Sequence, residues 1–205
     1  MRSDKLNIEP TIPSEVRRKL WRGATHEERE ASAAALHEEE KPIVADLRLA
    51  GLDVQSVWDL VNWRGQPYDA AIWVLLKHLP IHYSDRLAEG IARALSRPYA
   101  RAASWEAVLN LFRAEPQIPG AGFKAALALA LSGMAKSTDI EVLIELFHDR
   151  SHGGCRVFFI SKIARSKHNE AIPTLARHLD DPSVRNGIED VLKRKLRREY
   201  GFQKH

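Results

Sequence analysis

The sequence predicts an all-α protein built from repeated pairs of helices. A two-helix pattern occurs four times, its apolar residues follow helical spacing, and no stretch alternates apolar and polar residues as a surface strand would. The first segments of the four pairs begin at Ala71, Trp105, Ile140 and Ala171. The second segments begin at Leu87, Phe123, Cys155 and Val184. The pattern returns about every 30 to 36 residues, a period typical of solenoids.

The part of the chain before the repeats is predicted to contain an arm and a helical cap. Residues 1–13 hold two prolines and few apolar groups, so they are expected to be extended. Residues 14–67 are expected to form the cap, and residues 68–205 the four pairs with a basic capping helix at their end. Within the cap, Ser14 is expected to start a short helix that ends at Trp21.

Three further helices of the cap are predicted from their start and stop signals. Thr25 and Glu28 have the spacing of a capping box, so a helix should start there and end before Pro42. Pro42 suits the first turn of another helix, which Gly51 should stop. Asp53 is then expected to cap the segment VQSVWDLVN.

The second helices share an apolar stripe. An apolar residue at the start is followed by apolar residues three to four and seven to eight positions later, which is the core-facing side of an amphipathic helix. In the third pair the stripe starts at either Cys155 or Arg156. Four residues on this stripe are expected to be almost fully buried: Leu127, Leu131, Ile163 and Leu192.

The aromatic residues divide between core and surface. Trp58, Trp73 and Trp105 lie in amphipathic segments and are predicted to pack in the core or between pairs. Trp63 lies beside Arg64 in a loop and is predicted to be exposed. An aromatic ring beside an arginine is typical of residues that anchor an interface with a partner. Trp63 could equally pack over the junction between the cap and the first pair.

Charge is unevenly distributed along the chain. The net charge is +4, but residues 1–149 carry 18 Lys and Arg against 21 Asp and Glu, whereas residues 150–205 carry 13 against 6. Such asymmetry is found in proteins that bind acidic partners or nucleic acid, and also in solvated terminal helices. The strongest cluster, here called the basic tail, consists of Lys193, Arg194, Lys195, Arg197 and Arg198.

The candidate metal and catalytic motifs are weak. His148, Asp149 and His152 form an H-D-x-x-H pattern, but Gly153 and Gly154 follow at once, so the helix is not expected to hold both histidines on one face. His78 and His82 repeat the spacing around Pro80 and are predicted to be turn residues. The sequence contains no G-x-S-x-G elbow, no phosphate-binding glycine loop and no Rossmann fingerprint. We therefore expect no metal, no cofactor and no enzymatic activity.

The single cysteine, Cys155, excludes an internal disulfide framework and fits a reducing cytoplasm. It lies at the start of an apolar helix, where an inert buried thiol is favoured over a reactive one. The N-terminus has no apolar signal region, and no apolar run reaches the ~18 residues that a membrane span needs. A cytoplasmic protein that does not enter a membrane is therefore expected.

The helix pairs resemble bacterial HEAT-like repeats. The resemblance is carried best by NEAIPTLARHLDDPSVRNGIEDVL, with its proline in the first helix, its Asp-Asp-Pro turn and its Val-Arg start of the second helix. It implies a right-handed α-solenoid of stacked antiparallel pairs, with a ladder of turn acids and basic residues. Asp181 and Arg185 match the ladder directly, Asp149 and Arg156 loosely. In the second pair Lys124 fills the basic position, and in the first pair that position is Ala88.

The resemblance implies a binding scaffold that holds a partner on the concave face lined by the second helices. We expect a protein partner, with the chain acting as an adaptor or as a neutralising partner such as a bacterial immunity protein, either as a monomer or as part of a partner-dependent complex. The residues expected to contact it are Trp63, Arg93, Lys124, Leu129, Arg156 and Arg185. The alternative is a nucleic-acid-binding protein, DNA-glycosylase-like, that uses the basic tail. HEAT-like repeats also occur in phycobilisome lyases, which gives a third and remote reading.

Overall fold

The computed structural model describes residues 25–116, 118 and 121–201. These residues form ten α-helices and no strand, so the all-α prediction is confirmed. The helices are α1 (His26–Leu49), α2 (Val57–Val61), α3 (Asp69–His78), α4 (Asp85–Ala94), α5 (Arg101–Ala114), α6 (Phe123–Met134), α7 (Ile140–His148), α8 (Val157–Arg165), α9 (Ala171–Arg177) and α10 (Arg185–Tyr200). Short 3₁₀ helices cover Pro98–Ala100, Ser137–Asp139 and Arg150–Arg156. The predicted arm (1–13) and the predicted helix from Ser14 to Trp21 lie outside the described residues.

The chain divides into two compact units, residues 1–38 and residues 39–205. The described part of the first unit, residues 25–38, is a capped helix start. The amide of Thr25 donates to Glu28 Oε2 at 3.0 Å, and the amide of Glu28 donates to Thr25 Oγ1 at 3.1 Å. These reciprocal bonds satisfy two amides that have no partner inside the helix, so the predicted capping box is confirmed.

The prediction that a helix ends before Pro42 is wrong, because α1 continues through this proline to Leu49. A proline inside a helix costs about 3 kcal/mol. Ile43, Val44 and Leu47 follow it on one buried face, and each contributes about 1.5–3 kcal/mol by burial. Packing therefore outweighs the backbone penalty. The predicted stop is confirmed, because Gly51 adopts a positive φ of 89° just after the helix.

Helix α2 is capped by Ser56 and not, as predicted, by Asp53. Ser56 Oγ accepts from the amide of Trp58 at 3.2 Å, and Asp59 Oδ2 accepts from the amide of Ser56 at 3.0 Å. This reciprocal pair fixes the helix start three residues later than predicted. Val54 lies in the core before the helix begins and is 1% exposed.

The remaining helices follow the order of the predicted segments, with α3, α5, α7 and α9 at the first segments and α4, α6, α8 and α10 at the second. The second helices touch in chain order, from α4 through α6 and α8 to α10, and α2 packs on α4 before them; we call the series α4, α6, α8 and α10 the second-helix row. Among the first helices, α3 packs on α5 and α7 on α9. Direct contacts also join α3 to α4, α5 to α6 and α7 to α8.

Burial largely follows the predicted apolar stripe. Leu127, Leu131 and Ile163 are fully buried, as predicted. The prediction for Leu192 is wrong, because this residue is only half-buried. Helix α10 has α8 as its main packing partner, so the later turns of α10 are covered on one side only, and Leu196 is 51% exposed.

The third pair takes the register that starts at Arg156. Arg156 is 1% exposed, and the buried residues that follow it lie three, four, seven and eight positions later in the chain. Those positions are Phe159, Ile160, Ile163 and Ala164. A stripe starting at Cys155 would instead place Phe158 and Lys162 in the core, and both are half-buried.

The tryptophan predictions are confirmed in part. Trp105 is 6% exposed, as expected for a core residue. Trp58 is half-buried and lies under the guanidinium of Arg86, 3.6 Å from its ring centre. The prediction for Trp73 is wrong, because this side chain is 68% exposed. Its neighbour Ile72 takes the core-facing position, and successive helical residues point about 100° apart.

No helix among the described residues has the length and apolar character that crossing a bilayer requires.

Candidate partner-binding surface

The second helix of the second pair begins with a buried cation, Lys124, which is 5% exposed. Its Nζ donates to the carbonyl oxygen of Glu115, the residue that ends α5, and lies 5.1 Å from the ring centre of Phe112. The last carbonyls of a helix have no partner inside it and carry partial negative charge. Lys124 therefore closes the end of the first helix of its own pair.

Arg156 does the same in the third pair and is more deeply enclosed. Its Nη1 donates to the carbonyl oxygen of Phe147 at 3.1 Å, and its Nε donates to that of Gly153 at 2.8 Å. Its Nη2 donates to Asp181 Oδ2 at 2.5 Å and to Ser183 Oγ at 3.0 Å. The predicted contact between Asp181 and Arg156 is confirmed. Hydrogen bonds from Ser183 and Arg156 hold the pKa of Asp181 well below its usual range.

Arg185 occupies the same position in the fourth pair but is exposed. Its Nε donates to the carbonyl oxygen of Leu179 at 2.8 Å, and its Nη2 to that of Asp180 at 3.2 Å. The side chain of Arg185 therefore bonds to backbone beyond α9 and not to the carboxylate of Asp181, its expected ladder partner. The side chain of Asp180 instead pairs with Arg150, at 3.0 Å.

Two further carboxylates connect neighbouring pairs. Asp85, at the start of α4, accepts from the amides of Gly122 and Phe123 at 2.8 and 3.0 Å, and so caps α6 from the preceding second helix. Asp139, just before α7, accepts two bonds from Arg101 of α5, at 2.8 and 2.5 Å. The guanidinium of Arg101 lowers the pKa of Asp139.

The residues predicted to contact a partner are therefore not equivalent. The charged ends of Lys124 and Arg156 lie inside the protein and bond to its own backbone. These two residues therefore stabilise the fold and are not available to a partner. Arg93 is half-buried, and its Nε lies 2.7 Å from Glu89 Oε1. Arg185 is exposed and Leu129 is half-buried.

Trp63, the sixth predicted contact residue, is half-buried and was expected to be exposed. Its Nε1 donates to the carbonyl oxygen of Gln66 at 2.8 Å, and its ring meets that of Tyr68 edge-on, with centres 6.2 Å apart. Tyr68 in turn donates to the carbonyl oxygen of Ala94 at 2.6 Å. Trp63 thus packs over the start of the first pair, which was one of the two roles that its sequence context suggested.

Helix α6 presents a narrow apolar strip in the middle of the second-helix row. Ala125, Leu129 and Ser132 are partly exposed and lie on one side of the helix, at spacings of four and three residues. Ala128 is fully buried. No residue on this strip carries a charge.

A cleft of about 400 Å³ lies between the α3–α4 loop and the α5–α6 loop. Its apolar walls include Leu79, Leu111 and Phe123, and its two exposed apolar side chains are Ile81, 44% exposed, and Ile118, 53% exposed. We call it the apolar cleft. Sequence reasoning missed it, although isoleucines in proline-containing loops, outside every helical stripe, were a visible signal.

A chain of hydrogen bonds holds one wall of the apolar cleft. Tyr83 Oη lies 2.7 Å from His78 Nδ1, and His78 Nε2 lies 2.9 Å from Asp46 Oδ2, which also binds Lys77 at 2.7 Å. Burial raises the pKa of the Tyr83 hydroxyl. A carboxylate can only accept, so His78 Nε2 carries a proton and donates to Asp46 Oδ2.

This order of hydroxyl, imidazole and carboxylate resembles the connectivity of an activated nucleophile. In this protein the chain of bonds joins the α3–α4 loop to Asp46 of α1 and so fixes the loop against that helix. His78 is the buried last residue of α3, whereas His82 is exposed in the loop as predicted.

The H-D-x-x-H motif does not assemble a ligand set. His148 is exposed and its ring centre lies 5.0 Å from that of His178, whereas His152 is buried with its ring 4.5 Å from that of Phe112. Burial lowers the pKa of His152 and raises that of the Cys155 thiol to about 11. Among the described residues, no three histidine, cysteine or carboxylate side chains converge as metal ligands would.

No family model matches this sequence, and it matches neither a curated protein nor a solved structure.

Proposed function

We propose that this chain is a non-catalytic protein-binding scaffold, in which HEAT-like helix pairs stack as a right-handed α-solenoid. Two regularities support the architecture. The second helices contact one another in chain order, and a basic residue at the start of the second helix bonds to the end of the first helix in the second and third pairs. Each pair then buries an apolar face against the next, as solenoid repeats do.

The apolar cleft carries the proposal of a protein partner. Two isoleucines project into solvent at a cleft large enough for one or two bulky side chains. Exposed apolar groups gathered around a recess are typical of interfaces with proteins. The cleft opens at the start of α4 and α6, where Asp85 and Phe123 line it.

The charge pattern of the second-helix row also favours protein over duplex DNA. A groove that cradles a duplex is basic along most of its length. On α4, Glu89 lies 2.7 Å from Arg93 and 3.4 Å from Arg86, so the positive charges there are compensated. On α6 the only cation is the buried Lys124. We therefore keep the adaptor or neutralising role, with an immunity protein as one example.

Site-specific photocrosslinking tests this function. A photoreactive phenylalanine analogue at position 118 should capture one defined protein from the source cells, whereas the same analogue at Trp73, an even more exposed apolar position on α3, should not. Ile81→Asp should abolish this capture, and Trp73→Asp should leave it intact. Equal capture from both positions, or capture that survives Ile81→Asp, would remove the apolar cleft as the binding site.

A further inference from the structure

A second cleft, of about 510 Å³, lies between α8 and α10 and has a different character. We call it the basic cleft. Five of the side chains that line it are cationic: Arg165, Lys167, Arg194, Lys195 and Arg198. The others are two serines, Ser161 and Ser166, and two small apolar residues, Ala164 and Val191. Among the described residues that line it, none carries a carboxyl group.

The basic cleft forms because α10 approaches α8 closely at one end and runs past it at the other. A Cβ atom on Gly187 would lie 2.8 Å from Ile160 Cδ1 and 2.9 Å from Val157 Cγ2, so any larger residue would have to displace these side chains. Helix α8 ends at Arg165, whereas α10 continues to Tyr200. The later turns of α10 therefore face the end of α8 and the residues after it across an open space.

The arginines of the cleft are partly oriented by their own helices. Arg165 Nε donates to the carbonyl oxygen of Ser161 at 2.9 Å, and Arg194 Nε donates to that of Asp190 at 3.0 Å. Each bond uses one of the five N–H donors of a guanidinium. The terminal nitrogens keep the planar, forked geometry that matches phosphate oxygens.

We propose that the basic cleft binds a small molecule carrying two or more phosphate groups. Five cations around one recess repel one another, and a compact polyanion would relieve that repulsion at several points at once. The volume suits a nucleotide-sized ligand, and Ala164 and Val191 offer an apolar wall. A nucleic-acid strand fits less well, because its phosphates would need positive charge beyond the cleft, and the exposed strip on α6 has no cation to contact them. This site is separate from the apolar cleft and goes beyond the proposed function.

Calorimetric titration with inorganic tripolyphosphate tests the site on the full chain at fixed ionic strength. Tripolyphosphate should bind to one site, and orthophosphate at least tenfold more weakly. Arg194→Gln with Arg198→Gln should weaken tripolyphosphate binding at least tenfold. The matched control is Lys193→Gln with Arg197→Gln, which removes two charges from the same helix outside the cleft and should change the affinity less than twofold.

Three results would overturn the site. Tripolyphosphate could fail to bind the wild-type chain. The control pair could weaken binding as much as the cleft pair, which would mean that diffuse charge on α10 is responsible. A duplex oligonucleotide could bind while tripolyphosphate does not, which would identify a nucleic-acid backbone as the ligand. All the substituted positions are exposed, and circular dichroism of each variant will confirm that the fold is retained.

Discussion

Arg156 of the third helix pair donates a 2.5 Å hydrogen bond to Asp181 in the turn of the fourth pair, and both side chains are buried. The same guanidinium also bonds to the carbonyl oxygens of Phe147 and Gly153. One side chain thus closes the end of α7, fixes the glycine-rich turn before α8 and attaches the next pair.

Arg156→Met should destabilise the protein by about 3–5 kcal/mol, because it leaves the carboxylate of Asp181 buried and without its charged partner. Urea denaturation at pH 7 will measure this loss. Arg185→Met is the matched control, since Arg185 also bonds to backbone carbonyls but is exposed, and it should cost less than about 1 kcal/mol. Similar losses of unfolding free energy for the two variants would show that the buried pairing of Arg156 with Asp181 adds no more stability than an exposed arginine does.

Asp181→Asn should make the stability depend less on acid pH. The pKa of Asp181 is lowered in the folded state, so its contribution is fully present above the unfolded value of ~4 and is lost as pH falls below it. The wild type should therefore be more stable than Asp181→Asn at pH 7, and this difference should shrink steadily as pH falls from about 4 towards the lowered folded pKa. A difference that stays constant as pH falls below about 4 would contradict the assignment. Comparing the two proteins cancels the titration of the histidines.

Leu131→Ala should cost about 2–5 kcal/mol, because it opens a cavity beneath a fully buried leucine of α6. Leu129→Ala, two residues away on the partly exposed strip, should cost less than about 1.5 kcal/mol. Thermal unfolding followed by circular dichroism distinguishes them. A larger loss of stability for Leu129→Ala than for Leu131→Ala would show that the register of α6 is wrong.

Trp73→Ser should leave the free energy of unfolding within about 0.5 kcal/mol of the wild type, because the side chain is 68% exposed. Trp105→Ser, a matched change at a buried position, should cost about 3–5 kcal/mol. Guanidinium denaturation of both variants will check this. A large loss from Trp73→Ser would restore the packing role that the sequence indicated.

Cys155 should react slowly with thiol-specific disulfide reagents in the native protein at pH 8. Burial raises its pKa to about 11, which makes the thiolate scarce, and access to the sulfur is blocked as well. Reaction should become rapid when urea unfolds the chain. A native rate close to the unfolded rate would indicate an exposed thiol at this position.

Periodicity predicted the helix pairs well because burial depends on spacing that is visible in the chain. Leu127 and Leu131 could be placed in the core from their stripe alone. Trp73 could not, since a large apolar residue one step from the stripe looks like core until the neighbouring Ile72 is seen to fill the position. Pro42 failed for a related reason, because the local penalty was visible in the sequence and the packing that outweighs it was not.

The candidate sites were the least predictable part. Arg156 and Lys124 were selected because they share a repeat position and carry charge, yet whether such a cation faces solvent or a helix end depends on the loop before it. The two clefts combine residues from helices or loops far apart in the sequence. Ile81 and Ile118 belong to no stripe, and the cations of α10 were visible as a cluster without the α8 residues that complete the cleft.

The bonds at the ends of the first helices and the bonds between pairs differ in kind. Lys124 and Arg185 bind backbone carbonyls inside their own pairs, which do not titrate, whereas Asp85, Asp139 and Asp181 tie one pair to the next through carboxylates. The pKa values of Asp139 and Asp181 are lowered, so only strong acid would protonate these two carboxylates and weaken their couplings, and the hairpins would stay intact. In strong acid the chain would then lose cooperativity before it loses helix, and it would unfold pair by pair instead of in a single step.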